Sequence, residues 1–230
     1  MNSDDMAVAI AHRLLMGPST SLQHFPPEEH EEMLEHLKRV IRDILETHGS
    51  NAFDSPRSAA IAHEVGHAIV LAHDGIPVEK IAVWKRAGAS EHTWEGLTTK
   101  KARTFFIDPD TPIITALSHA CFVIAGEVGE KVLDPDTYRA GTALDEVLFS
   151  QRIAYALANR VKMTEENLWQ EIRKRSWQII AYNEPVAQEL IGRLDRTESL
   201  QRRALTTPLE RVKKIPDDWQ WLSAGDLAAQ

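Results

Sequence analysis

The sequence predicts a mainly α-helical domain with one small β-sheet or hairpin and helical extensions at its ends. Three observations predict it. Apolar residues recur at helical spacing through most of the 230 residues. Proline, glycine and capping residues divide that pattern into helix-length segments. Only two short runs, residues 80–85 and 93–98, read as strands, separated by a polar stretch containing Gly88.

Taken in order, a first helix runs from about Asp4 to Met16 and stops at Gly17-Pro18. A second runs from Pro27 to about Thr47, with Leu34, Leu37, Ile41 and Leu45 on one stripe and its acids preceding its bases, as the helix dipole favours. Ser55 offers an N-cap and Pro56 a first-turn proline for a third helix reaching His73. That helix is apolar nearly all round, which places it inside a core. After the two strands, Asp110-Thr111-Pro112 opens another buried helix, residues 113–133. Gly141-Thr142 precedes a helix to about Val161, Thr164 caps one to about Asn183, and Pro185 starts one to about Thr197. Beyond Pro208 the tail reads as irregular. The expected organisation is an N-terminal helical extension over residues 1–53, a core domain over 54–200 and a C-terminal tail over 201–230.

Composition removes several function classes. The net charge is -8, with 34 acidic against 26 basic residues and no basic block, so nucleic acid is not an expected partner. No uninterrupted apolar run reaches the roughly 18 residues of a membrane span, and the stretch 6–16 follows acids rather than the bases of a signal peptide. A single cysteine, Cys121, cannot form an internal disulfide and suits a reducing, cytoplasmic setting. No Gly-x4-Gly-Lys-Ser/Thr phosphate loop occurs.

One spacing carries chemistry: His63-Glu64-Val65-Gly66-His67. On a helix, residues i and i+4 project from one face, so two imidazoles can grip a single zinc ion. Glu64, next to the first histidine, can then reach an attacking water and act as general base. Chance alone places roughly 0.04 such patterns in a chain of this composition. Context strengthens the match, because burying a carboxylate and two imidazoles in so apolar a helix costs several kcal/mol unless they are paired or coordinated (order of magnitude).

A catalytic zinc needs a third protein ligand and an open fourth position. His73 stands where a His-Glu-x-x-His-x-x-Gly-x-x-His pattern would put one. Position 70 is Val rather than the glycine that lets the chain fold back, so His73 points elsewhere. Glu127 and Glu130 lie in the apolar helix 113–133. Asp145 follows Gly141, although Thr142-Ala143-Leu144-Asp145 also reads as a capping box. Spacing alone does not choose among these carboxylates.

These residues resemble a known family. Residues 57–72, with Ala62-His63-Glu64-Val65-Gly66-His67-Ala68, are similar to the peptidase domain of FtsH-type ATP-dependent zinc metalloproteases. The likeness continues in order through Ile81-Ala82-Val83, Glu95-Gly96-Leu97-Thr98, Ala125-Gly126-Glu127-Val128-Gly129-Glu130, Ala140-Gly141-Thr142-Ala143-Leu144-Asp145 and Gln151-Arg152-Ile153-Ala154, covering about residues 55–200. It implies a zincin-like fold, with His63, His67 and Asp145 as zinc ligands, Glu64 as catalytic base and Glu130 supporting the ligands from behind. Departures are large. Glu127 replaces a basic residue and Gly129 an alanine, and the family's membrane spans and AAA+ ATPase module have no counterpart here.

The resulting expectation is a stand-alone zinc endopeptidase that cleaves flexible or unfolded polypeptides without ATP. A substrate strand would lie along an edge of the strands at 81–98. A separate ATPase or a second copy of the chain is the partner that the extensions leave room for. The alternative is a zinc-binding interaction module derived from such a peptidase and no longer catalytic. The intact Glu64 speaks against it, because a purely structural site closes its fourth position with Cys or His.

Overall fold

A computed structural model describes residues 3–16, 27–86, 93–100, 111–216 and 219. The helices are α1 (Ser3–Met16), α2 (His30–His48), α3 (Arg57–His73), α4 (Ile113–Leu133), α5 (Leu144–Val161), α6 (Glu165–Tyr182), α7 (Glu184–Thr197) and α8 (Arg202–Leu209). The strands are β1 (Val78–Lys85), β2 (Trp94–Lys100) and β3 (Ser199–Gln201), all antiparallel in the order β2-β1-β3. The chain is thus mainly helical with one small sheet. The breaks expected at Gly17-Pro18, around Gly88, at Asp110 and in the tail beyond 219 lie outside the described residues.

The two apolar helices α3 and α4 pack together at the centre, flanked by the sheet, α5, α6 and α7. Two glycines let their backbones touch. A β-carbon on Gly66 would run into the Ala125 carbonyl oxygen, and one on Gly129 would lie 2.6 Å from the Ala62 carbonyl oxygen and 2.9 Å from the Gly66 Cα. Only a hydrogen fits there. Gly66→Ala should therefore push α3 off α4 and lower stability by about 1–3 kcal/mol, read as a shift in the denaturant midpoint.

By length and hydropathy α4 meets the criterion for a membrane span, which the sequence was expected not to contain. Here 72% of its most apolar window is buried in the core, among α3, α5 and α6.

Two local expectations are corrected. Pro56, not Ser55, caps α3, and the Ser55 carbonyl instead accepts the Trp94 N–H at 2.8 Å, tying the start of α3 to β2. Thr142 makes no capping box with Asp145; its hydroxyl donates to Glu130 Oε2 at 2.8 Å. Thr164 does cap α6, accepting the Asn167 N–H. The boundary expected at residue 200 falls inside β3, whose Ser199, Leu200 and Gln201 pair with Ala82, Ile81 and Lys80. Beyond it α8 buries Leu205 in the core. A three-residue strand has too little sequence to show alternation, which is why it escaped detection.

At the N-terminus α1 packs on α2 through Ala7, Ile10, Ala11 and Leu15 against the Leu37–Ile41–Leu45 stripe. These side chains belong to the same buried cluster as the core helices. Asp4 pairs with Arg42 at 2.6 Å, and Glu29 with Arg152 of α5 at 2.8 Å.

Candidate metal centre

His63 and His67 sit one turn apart on the middle of α3 and turn their Nε2 atoms toward each other, 3.2 Å apart. Each ring is aimed by its other nitrogen. His67 Nδ1 lies 2.9 Å from the Phe122 carbonyl oxygen; a carbonyl can only accept, so Nδ1 carries the proton and Nε2 presents a lone pair. His63 Nδ1 meets Glu130 Oε1 at 2.8 Å, and the other oxygen of that carboxylate takes the Thr142 hydroxyl. Beneath the His63 ring is Gly126, where a β-carbon would collide with the imidazole.

The carboxylate that joins the pair is Glu146. Its Oε1 stands 2.8 Å from His67 Nε2 and 3.0 Å from His63 Nε2. The structure thus brings Glu146, and not Asp145, to the two imidazoles, whereas the resemblance would make Asp145 the third ligand. The reason is helical phase. Successive residues on a helix are rotated by about 100°, so of two adjacent acids at the start of α5 only one can face the histidines. The connection before α5 fixes that phase: the Gly141 N–H binds the Ala52 carbonyl at 2.9 Å, Gly141 packs on Phe53, and Thr142 binds Glu130. Asp145 lines the same cavity but is not part of the His63–His67–Glu146 group. Glu146 was legible only as the second member of an Asp-Glu pair, and nothing in its spacing marked it.

Of the other residues weighed, Glu127 is drawn off by Arg173 (3.2 Å), Lys131 and Tyr138. His73 Nδ1 meets Asp74 at 2.8 Å while its Nε2 accepts the Ile215 N–H. Glu64 is buried beside the pair and keeps one oxygen, Oε2, in a 2.7 Å hydrogen bond from Thr98 Oγ1 on β2. Gly96 of β2 passes so close over Glu64 that a β-carbon there would meet its side chain.

The electrostatics follow from this packing. Burial lifts the Glu64 carboxyl above the ordinary value despite the neighbouring imidazoles, as suits a base. Burial alone would also lift Glu146, but His63 and His67 outweigh it and hold its pKa at about 2. Burial alone would lower His63; the charges and hydrogen bonds of Glu146 and Glu130 prevail and raise it well above the ordinary value.

The three donor atoms suit zinc. Ligand atoms around a tetrahedral zinc with bonds of about 2.0–2.2 Å lie about 3.3–3.5 Å apart, and those here, 2.8–3.2 Å apart, need only move outward by a few tenths. Glu146 Oε2 is buried without a hydrogen bond among the described residues, so it has a lone pair that an ion could use. Among the described residues these are the group able to hold a metal. Gly126→Ala should displace the His63 ring and weaken zinc binding about 10- to 100-fold, as losses of ligand support do, measured by competition with a chromogenic chelator.

The site opens into a cavity of about 450 Å³ walled by β2, Phe122 and the start of α5. The N-terminal extension also reaches it: Arg13 and Leu14 of α1 and Phe53 form part of the wall. No family model matches the chain. No curated protein matches it either. The site therefore rests on its own geometry.

Proposed function

We propose that this chain is a zinc-dependent peptide hydrolase acting on extended, flexible or unfolded polypeptides. The observation that carries the reading is the convergence of His63 Nε2, His67 Nε2 and Glu146 Oε1 within a cavity that also holds Glu64 and residues 94–98 of β2. The resemblance to FtsH-type peptidases points the same way. Zinc bound there would supply Lewis acidity, polarising a carbonyl and acidifying water.

The chain's own residues do the rest. With zinc bound, Glu130 and the Phe122 carbonyl would each hold a proton on Nδ1 and so keep the Nε2 lone pairs of His63 and His67 inward. Thr98 fixes one Glu64 oxygen, leaving Oε1 to take the proton of the attacking water. As the new C–O bond forms and the C–N bond breaks, Glu64 returns that proton to the departing amine. Among the described residues β2 pairs only with β1, so its other edge can receive a substrate backbone in strand geometry.

A single extended strand is what such an edge accepts, whereas a folded domain resists unfolding by about 5–15 kcal/mol. The chain has no phosphate-binding loop to couple ATP to that work. The test is to incubate zinc-loaded protein, freed of contaminating ATPases, with an unstructured and a tightly folded polypeptide, each with and without ATP, and to identify products by mass. Cleavage of the unstructured chain alone, indifferent to ATP, is expected. Inactivity on both with zinc bound would instead mark a binding module.

A further inference from the structure

The cleft carries cations that the proposed chemistry does not use. Arg13 comes from α1 and Arg86 directly follows β1, far apart in sequence, yet both line the cavity that contains Glu64 and Glu146. Among the described residues the Arg13 guanidinium has no hydrogen bond and no ion-pair contact. Among the described residues Arg86 makes one ion-pair contact, a loose approach to Glu95 at 3.8 Å. Around Arg13 stand Arg86, Glu95, Asp145 and Asp54. Desolvation, then the repulsion of Arg86, lower its pKa, and the three acids act against both. Two guanidiniums on separate elements, facing one cleft and little bonded to protein, present planar donors that match a carboxylate.

We propose that Arg13 and Arg86 form a carboxylate-binding subsite of this cleft, selecting polypeptides that place an acidic side chain or their terminal carboxylate there. This deepens the hydrolase reading and rests on it for the identity of the ligand as a peptide. It also gives the N-terminal helix a part in selecting substrate, because Arg13 belongs to α1 and not to the region that resembles a peptidase.

The test uses full-length, zinc-loaded Glu64→Gln protein and fluorescent unstructured peptides, with binding read by anisotropy. One series exchanges Glu for Gln at each position in turn; another compares free and amidated C-termini. A charge-assisted contact predicts about ten- to hundredfold tighter binding of the carboxylate-bearing member. Arg13→Gln should abolish the difference, Arg13→Lys should restore part of it, and Arg13→Glu should reverse it toward peptides carrying Lys. A gain confined to the free C-terminus identifies the terminal carboxylate, and a gain with internal Glu identifies a side chain. Equal affinities throughout, or a preference that survives both Arg13→Gln and Arg86→Gln, would overturn the subsite, as would absence of any peptide binding. Unchanged circular dichroism and melting keep these comparisons valid. Wild-type protein separates the two proposals: charge-selective binding without cleavage sinks the hydrolase and leaves the subsite, while cleavage indifferent to charge does the reverse.

Discussion

Glu146→Ala should lose zinc while Asp145→Ala keeps it. The two acids are neighbours on α5, but only Glu146 brings an oxygen within 2.8–3.0 Å of both Nε2 atoms. Removing a support behind a ligand costs about 10–100-fold in affinity, so removing the ligand itself should cost more than about 100-fold. Glu130→Gln should fall between the two, because an amide oxygen still accepts from His63 Nδ1 but carries no charge. His73→Ala should bind normally. Equilibrium metal analysis of the four proteins, each shown to be folded, distinguishes them. Full zinc in Glu146→Ala with depletion in Asp145→Ala would return the ligand to the residue that the resemblance favoured.

The second large effect is on rate. Glu64→Gln should slow peptide hydrolysis by about 10²–10⁴-fold, as loss of a positioned base does, with zinc content unchanged. The amide fits the same space beneath Gly96 and can still accept from Thr98, so structure and metal are held constant while the proton acceptor is lost. Equal rates at matched zinc would assign the cleavage to another base or another protein.

The helices were legible because their signals are local. The Pro112 start and the Asp134-Pro135 stop bracket α4, and both histidines and their neighbouring base lie within five residues of one helix. What escaped depends on relations between distant segments. Glu146 rather than Asp145 faces the imidazoles because Gly141 and Thr142 are anchored to Ala52 and Glu130, and no spacing rule encodes that phase. Thr142, read as half of a capping box, is engaged by a carboxylate twelve positions upstream. Arg13 lies outside every recognisable motif and enters the cleft only because α2 carries α1 there.

The pairing of β3 with β1 has a consequence for how the molecule is made. β1 and β2 adjoin in sequence and can meet early, but the partner for β1's other edge is more than a hundred residues downstream. During synthesis, that edge and the buried residues Ile81 and Val83 beside it stay open until Ser199–Gln201 emerge. An open apolar edge invites pairing with another chain, and distant strand pairing is slow. Premature termination before β3 should therefore yield aggregates rather than a shortened folded protein, because β3 completes the sheet on which β2 is mounted.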